Sequence, residues 1–282
     1  MKICYPNAKV NLGLQVVGKR SDGYHELQTI FLPIPLQDVL ELRPYKFYGE
    51  PWELQVSGVE LGCGAEENLA VRVFADMQRE FGLPPQSIHL FKRIPTGAGL
   101  GGGSSDAAFM MRLLNESFEL GLTADDMARR LRRYGADCPF FVYNKPHYAT
   151  GIGDVFEPVE VNLSRYTLLL VKPKVSVSTS EAYSRVVPHA AGVDLRQAVN
   201  RPVGEWKELI RNDFEDSVFQ LYPVIEGIKA TLYDMHALYA SMSGSGSAVF
   251  GIMERAWDDA GDIFPDCFVH QARWAMHKET FA

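Results

Sequence analysis

Cysteine is scarce in this sequence of 282 residues, and its four cysteines lie far apart. Because no CxxC pair occurs, neither a zinc site nor a disulfide framework is expected. Isolated thiols suit a reducing compartment. The four cysteines are Cys4, Cys63, Cys138 and Cys267. Their isolation predicts a cytoplasmic protein.

Positive charge is also in short supply, since 28 Lys and Arg stand against 35 Asp and Glu, giving a net charge of -7. No basic stretch is long enough to neutralise a run of phosphates. Purely apolar stretches such as residues 168–171 fall far short of the roughly 20 residues that a membrane span needs. The first 14 residues have neither the apolar core nor the cleavage site of a signal peptide. We therefore expect no nucleic-acid or membrane partner, and the oligomeric state stays open.

Several catalytic motifs are missing as well. The sequence contains no HExxH, no GxSxG and no GxxxxGK[ST]. These absences disfavour a zinc protease and an α/β-hydrolase, and they exclude a P-loop of the Walker A type. The chemistry must therefore be sought in other patterns.

The composition and the order of the predicted elements indicate the fold class. Hydrophobic residues make up 46% and charged residues 22%, which is typical of a globular protein. Apolar periodicity predicts strands at 10–16, 39–42, 52–56, 87–94, 166–172, 248–253 and 268–274, and helices at 69–81, from 104, and at 123–134, 180–186, 205–211 and 223–236. Because strands and helices mix without strict βαβ alternation, the pattern favours an α+β fold. We expect two domains, residues 1–155 and 156–282.

The strongest local signal is residues 95–108, PTGAGLGGGSSDAA, which place five glycines in seven positions just before a predicted helix. Glycine lets a backbone adopt positive φ and approach a ligand closely. The exposed N–H groups at the start of a helix bind anions. The segment therefore predicts a phosphate-binding loop.

Two other interpretations of this loop must be weighed. A flexible turn with Ser104 as the N-cap needs one or two glycines rather than five. Gly97, Gly99 and Gly102 also satisfy GxGxxG, with Glu119 near the position of a ribose-binding acid. The stretch at 89–94 before the loop is half polar, however, whereas a dinucleotide fold has a buried strand there. The phosphate loop of another fold explains the pattern better.

Residues 95–108 resemble the phosphate-binding signature of the GHMP kinases, the superfamily of galactokinase, homoserine kinase and mevalonate kinase. Five more segments fit that superfamily in its order along the chain: PNAKVNL at 6–12, RSDGYHEL at 20–27, ENLA at 67–70, GADCPF at 135–140 and SGSGS at 243–247. Chance agreement of one motif is plausible, but agreement of six in order is not. The resemblance spans residues 6–251.

The resemblance implies the fold and the reaction. It implies a two-lobe α+β fold with the active site in the cleft between the lobes, with ATP as co-substrate and Mg²⁺ as cofactor. The GLGGGSSDAA spelling and the GYHEL segment resemble the branch that phosphorylates the 2-hydroxyl of 4-diphosphocytidyl-2-C-methyl-D-erythritol, in the non-mevalonate route to isoprenoids. The implied partner is thus a small molecule, a polyol linked to cytidine diphosphate.

The resemblance also implies the catalytic residues, Lys9 and Asp137. Phosphoryl transfer needs charge neutralisation and an aligned acceptor hydroxyl, and Asp137 matches the aspartate that takes the acceptor proton. From the residues alone, Asp137 could instead cap a short helix entered through Pro139, and Lys9 could be a solvated charge.

The remaining site residues are also implied by the resemblance. ATP is expected to contact the loop and Asn68: the loop residues are Pro95, Gly97, Ala98, Gly99, Leu100, Gly101, Gly102, Gly103, Ser104 and Ser105. Tyr24 and Tyr183 are expected on either side of the cytosine with His25 at its edge, and Asn11 beside the polyol. An isolated GYH would more often form a turn with core aromatics. The ligands of the metal are not predicted.

Two alternative functions stay open at this point. One is another GHMP kinase, of the mevalonate or homoserine type, from which the GYHEL segment distinguishes this chain. The other is a non-catalytic nucleotide-binding protein on the same fold, which retention of Lys9 and Asp137 disfavours.

Overall fold

The computed structural model describes residues 1–46, 49 and 51–274, and in this part of the chain three four-stranded sheets combine with ten α-helices. The strands are β1 (Lys2–Cys4), β2 (Asn7–Lys19), β3 (His25–Gln37), β4 (Val39–Pro44), β5 (Trp52–Gly58), β6 (Gln86–Lys92), β7 (His147–Thr150), β8 (Val155–Pro158), β9 (Thr167–Lys172), β10 (Tyr239–Met242), β11 (Val249–Met253) and β12 (Phe268–Arg273). The helices are α1 (Leu69–Phe81), α2 (Gly102–Ser117), α3 (Ala124–Leu131), α4 (Phe140–Tyr143), α5 (Thr179–Tyr183), α6 (Leu195–Ala198), α7 (Trp206–Leu209), α8 (Phe214–Leu221), α9 (Pro223–Asp234) and α10 (Ala260–Ile263). Short 3-10 helices occupy Ala65–Glu67 and Val203–Glu205. No helix of the described residues has the length and apolar character needed to cross a membrane.

The three sheets have the strand orders β1-β4-β6-β5, β2-β3-β7-β8 and β10-β11-β9-β12. All the pairings are antiparallel except that of β5 with β6. Helices α1 and α2 pack on the first sheet, and α8 and α9 pack beside the third. The expected α+β class is confirmed, since no regular βαβ series is present in the described chain.

Strand β2 differs from the prediction in how it is buried. The alternation at 10–16 predicted one buried face, but the first ten residues of β2 are all buried. One face contributes Val10 and Leu12 to the apolar core, and the other carries the polar Lys9 and Asn11. Polar groups on that second face need partners, because they are shielded from water.

Strand β3 was missed because two prolines, Pro33 and Pro35, interrupt its pattern. Proline cannot donate a ladder hydrogen bond and is normally confined to sheet edges. In β3 both prolines lie beyond the segment that pairs with β7, which ends at Phe31. On that side the strand is an edge, so the prolines are tolerated.

The predicted helices are largely confirmed, with shifted ends. Helix α1 begins after the N-cap Asn68 and ends at Gly82, whose φ of 64° is left-handed. Helix α2 begins at Gly102 with Gly101 as its N-cap, so Ser104 is inside the helix and not its cap. Helix α3 has the predicted capping box of Thr123 and Asp126. Helices α6, α8 and α10 and strands β1, β7, β8 and β10 were not predicted from the sequence.

The two halves of the chain meet along β2 and share an apolar cluster. The Leu14 N–H donates to the Arg211 carbonyl at 2.9 Å, and the Leu14 carbonyl accepts from the Asp213 N–H at 2.9 Å. The shared cluster contains Ala8 near the start of the chain and Trp274 near its end. The division after residue 155 stays a prediction, and β8 begins at that position.

Candidate active site

A cleft of about 880 Å³ opens where the start of β2, the glycine-rich segment and the turn after β10 come together. The residues predicted for the site that line it are Lys9, Asn11, Tyr24, His25, Asn68, Pro95, Gly97, Ala98, Gly99, Leu100, Gly101, Gly102, Gly103, Ser104, Asp137 and Tyr183. Ser105 is not brought to the cleft. Its side chain is completely buried, and its N–H donates to the Gly101 carbonyl at 2.8 Å.

Residues 97–103, the glycine loop, take their shape from glycine conformations and from close packing. Gly97, Gly99 and Gly101 all have positive φ, between 59° and 72°. A Cβ on Gly99 would lie 2.0 Å from the backbone oxygen of Ser243, so only glycine fits against this second turn. The Ser243 hydroxyl donates to the Gly99 carbonyl at 2.9 Å. The two glycine-rich turns therefore support each other.

The first turn of α2 supplies hydrogen-bond donors to the cleft. The N–H groups of Gly102, Gly103 and Ser104 precede the first helical hydrogen bond, which Ser105 donates. Such N–H groups have no partner inside a helix, and the helix dipole adds positive potential there. This arrangement can hold a phosphate, as the sequence predicts.

Lys9 and Asp137 form an ion pair at the centre of the cleft, with 3.2 Å between Nζ and Oδ2. The Lys9 side chain is almost fully buried, whereas that of Asp137 is 34% exposed. The Lys9 N–H donates to the Leu100 carbonyl at 3.0 Å, which fixes the strand against the glycine loop. The Lys9 ammonium also lies 4.8 Å from the centre of the Phe31 ring.

The helix-cap interpretation of Asp137 is wrong. Helix α4 begins after Pro139, which occupies the N-cap position. The Asp137 carboxylate instead faces Lys9 across the cleft. Its neighbour Cys138 is buried, and burial raises the pKa of that thiol to about 11. A protonated, buried thiol is a poor nucleophile, so Cys138 acts as a small apolar residue.

The aromatic residues form a pocket at one end of the cleft. The rings of His25 and Tyr183 stack with 4.6 Å between their centres, and Phe214 contacts the Tyr183 ring edge-on at 4.7 Å. Tyr24 packs little and is 61% exposed. Burial, together with the charge of Asp137, raises the pKa of Tyr183 to about 12, so its phenol stays neutral. The sequence prediction missed Phe214, because nothing local links it to the GYHEL segment.

Asn68 also lines the cleft. Its side-chain oxygen accepts from the N–H groups of Ala70 and Val71 at 3.0 and 3.4 Å, so it caps α1. Leu61, Cys63 and Glu67 line the cleft beside it. Asn68 therefore has a structural role as a helix cap and also borders the cleft.

A buried ionic cluster below the glycine loop was not predicted. The Lys92 ammonium contacts Asp106 at 2.6 Å and also pairs with Asp38. The Asp38 carboxylate accepts from the N–H groups of Arg93 and Ile94 at 2.5 and 2.9 Å. Burial raises the pKa of Asp106. The cluster fixes the end of β6 and the first turns of α2, and thereby both ends of the loop. From the sequence alone these charges look ordinary, because α2 also carries Arg112 and Glu116 and β6 also carries His89.

The fit of the site to Mg²⁺ can be judged from the oxygen donors in the cleft. Among the described residues, no group of three or more His, Cys, Asp or Glu is arranged to hold a metal. A magnesium ion bound to a nucleotide needs only one or two protein oxygens, because phosphates and water fill the other positions. Ser104 lines the cleft in the first turn of α2, beside the N–H groups that can hold a phosphate. The Ser104 hydroxyl therefore fits such an ion.

Known proteins are similar to this chain over most of its length. The chain matches the GHMP kinases N terminal domain over residues 68–145 and the GHMP kinases C terminal domain over residues 195–262. The 4-diphosphocytidyl-2-C-methyl-D-erythritol kinase of Bacteroides thetaiotaomicron is 50% identical over 252 residues, which cover 89% of this chain and 92% of that protein. The kinase of the same name from Parabacteroides distasonis is 48% identical, over 96% of this chain and 99% of that protein.

Solved structures place the fold in the same group. A crystal structure of 4-(cytidine 5'-diphospho)-2C-methyl-D-erythritol kinase superimposes with a TM-score of 0.80 at 30% identity, covering 95% of this chain and 98% of that one. Mevalonate kinase from Methanococcus jannaschii has a TM-score of 0.68 at 14% identity, covering 97% and 98%, and so shares the fold. The predicted two-lobe fold is confirmed. This chain belongs to the GHMP kinases and, among them, to the family of 4-diphosphocytidyl-2-C-methyl-D-erythritol kinases.

Proposed function

We propose that this protein transfers the γ-phosphoryl group of ATP to the 2-hydroxyl of 4-diphosphocytidyl-2-C-methyl-D-erythritol. The observation that carries the proposal is the position of the Lys9–Asp137 ion pair. It lies in one cleft with the anion-binding start of α2 and with the aromatic pocket of Tyr24, His25 and Tyr183. A phosphate donor and a base-bearing acceptor can therefore meet at the pair.

The triphosphate is held by backbone N–H groups of the glycine loop and the first turn of α2. These donors are fixed before ATP arrives, because the Ser243 turn and the Lys92 cluster support both sides of the loop. Donors that need no rearrangement stabilise charge efficiently as it shifts during the reaction. Asn68 and the residues beside it receive the rest of the nucleotide.

In the transfer step, a bond forms between the acceptor 2-oxygen and the γ-phosphorus, and the bond from that phosphorus to the β-γ bridging oxygen breaks. ADP leaves with the bridging oxygen. The hydroxyl proton passes to Asp137, while Lys9 balances negative charge near the attacking oxygen. Phosphoryl transfer proceeds through a loose transition state, so alignment of the hydroxyl contributes more than its early deprotonation.

Magnesium, when bound with ATP, neutralises charge on the β- and γ-phosphates. Ser104 is the residue that would hold it, through its hydroxyl. The Asp137 carboxylate is left for Lys9 and for the acceptor proton.

We place the acceptor's cytosine in the aromatic pocket, where Tyr24 offers a ring face that is open to solvent and His25 offers a polar edge. The His25 ring stacks on one face of Tyr183, so Tyr183 can offer the base only its other face. Mevalonate and homoserine carry no base, and such a pocket would be unused with either one. This favours the cytidyl-linked acceptor over those of the other GHMP kinases.

The experiment supplies Mg-ATP with 4-diphosphocytidyl-2-C-methyl-D-erythritol, mevalonate or homoserine, and follows ADP release. We expect turnover with the cytidyl compound alone, and a product whose ³¹P spectrum shows a monoester at the 2-position. Faster turnover of mevalonate or homoserine would assign the protein to another acceptor. ATP binding without turnover of any acceptor would indicate the non-catalytic alternative.

A further inference from the structure

Thr29 lines the cleft and is 1% exposed. Its hydroxyl donates to the Gly13 carbonyl at 2.5 Å and accepts from Asn11 Nδ2 at 3.0 Å. Asn11 Oδ1 in turn accepts from Lys9 Nζ at 2.7 Å. One continuous chain of hydrogen bonds therefore leads from Thr29 through Asn11 to Lys9, and from Lys9 to Asp137.

The direction of this chain is fixed at the Thr29 end. A carbonyl oxygen can only accept, so the single hydroxyl proton of Thr29 is committed to Gly13. The Gly13 carbonyl is available because β2 is irregular here: the register with β3 shifts between Leu12 and Leu14. The Thr29 oxygen can then only accept from Asn11, which must present its NH₂ group.

The direction is fixed at the Lys9 end as well. An ammonium group can only donate, so Asn11 must turn its side-chain oxygen towards Lys9. Both ends thus require the same orientation of one amide. Asn11 and Lys9 are each 3% exposed, so water does not readily replace either contact.

We infer that Thr29 is a positioning residue, which holds the Asn11 amide in one orientation and thereby directs the Lys9 ammonium at Asp137. The inference rests on the proposed roles of Lys9 and Asp137. The Thr29 hydroxyl donates to Gly13 and accepts from Asn11, so both of these hydrogen bonds are made within the protein. Thr29 therefore acts on the reaction only through Asn11. Without the hydroxyl, Asn11 Nδ2 loses its partner in a buried site, and the amide is free to rotate away from Lys9.

The test compares Thr29→Val, which keeps the shape of the side chain but removes the hydroxyl, with Thr29→Ser, which keeps the hydroxyl. We expect Thr29→Val to lower kcat by roughly ten- to a hundredfold, because small misplacements of catalytic groups cost that much. KM for ATP and for the acceptor should stay within about threefold, and Thr29→Ser should recover most of kcat. Thr167→Val, a buried strand threonine outside the cleft, is the matched control and should retain kcat.

A double-mutant cycle tests the route. In an Asn11→Ala background, Thr29→Val should change kcat by less than about twofold, because its partner is already gone. Independent, multiplicative losses would overturn the inference, as would equal losses in Thr29→Val and Thr29→Ser or a Thr29→Val enzyme with wild-type kcat. If Thr29→Val does not fold, Thr29→Ala takes its place in the same cycle. The proposed role of Lys9 in catalysis is tested separately with Lys9→Met. A folded Lys9→Met enzyme with wild-type kcat would show that this role is wrong, whatever the result for Thr29.

Discussion

Tyr24 is the residue on which the acceptor pocket can be tested with least disturbance. It is 61% exposed, so truncation removes a ring face without opening a cavity. Stacking of a base on an aromatic side chain contributes about 1–3 kcal/mol. We therefore expect Tyr24→Ala to raise the acceptor KM by roughly ten- to a hundredfold and to leave the ATP KM unchanged.

The matched control for this change is Tyr5→Ala, since Tyr5 is 38% exposed and lies outside the cleft. That variant should retain both KM values, and thermal unfolding of the two variants should match the wild type. If Tyr24→Ala weakens both substrates equally, or neither, Tyr24 is not part of a cytosine pocket.

At the scale of the element, the glycines of the glycine loop serve two purposes. Some allow the loop to fold, and others leave room for a bound ligand. Gly99 and Gly101 are needed for the fold: a Cβ on Gly101 would lie 2.9 Å from the Phe141 ring. Gly103 is different, because its φ is ordinary for a helix and a Cβ there would meet only Leu69, at 4.0 Å. Gly103 is therefore the position where ligand binding can be changed without damaging the loop.

Gly103→Asp should weaken ATP binding while the protein stays folded. An acidic residue in the first turn of a helix is favourable for the helix. The same charge would repel a triphosphate held by the adjacent N–H groups, and we expect ATP affinity to fall by at least roughly tenfold. Calorimetric titration with a non-hydrolysable ATP analogue measures this.

Gly103→Asn adds nearly the same volume without the charge, and it separates repulsion from crowding. The asparagine variant should lose much less affinity than the aspartate variant. Unchanged affinity in Gly103→Asp would place the phosphates elsewhere in the cleft.

Taken over the whole molecule, the sequence predicted best what is local and periodic. The helix at 69–81, the capping box of α3 and the phosphate loop were all readable, because their signals lie within a few residues. The family resemblance supplied Lys9 and Asp137, which lie far apart in sequence. Their 3.2 Å contact depends on the whole fold, so spacing alone does not reveal it.

The parts that escaped prediction depend on pairing between distant segments. The Lys92 cluster joins residues 38, 92 and 106, and each looks like an ordinary charge in its own segment. Strand β3 is stable despite Pro33 and Pro35 because β7 stops pairing before them. Phe214 reaches the aromatic pocket only because residues 211–213 pair with β2.

The central claim for the molecule is that its two halves bring ATP and the acceptor together at the Lys9–Asp137 pair. Its most direct test is the turnover rate of Asp137→Asn with both substrates saturating. Asn keeps the size of the side chain, and Asp137 caps no helix, so the variant should fold normally. Because Asn cannot accept the hydroxyl proton, we predict kcat lower by about 10² to 10⁴-fold, with both KM values nearly unchanged. A folded Asp137→Asn enzyme that keeps more than about a tenth of the wild-type rate would contradict the account.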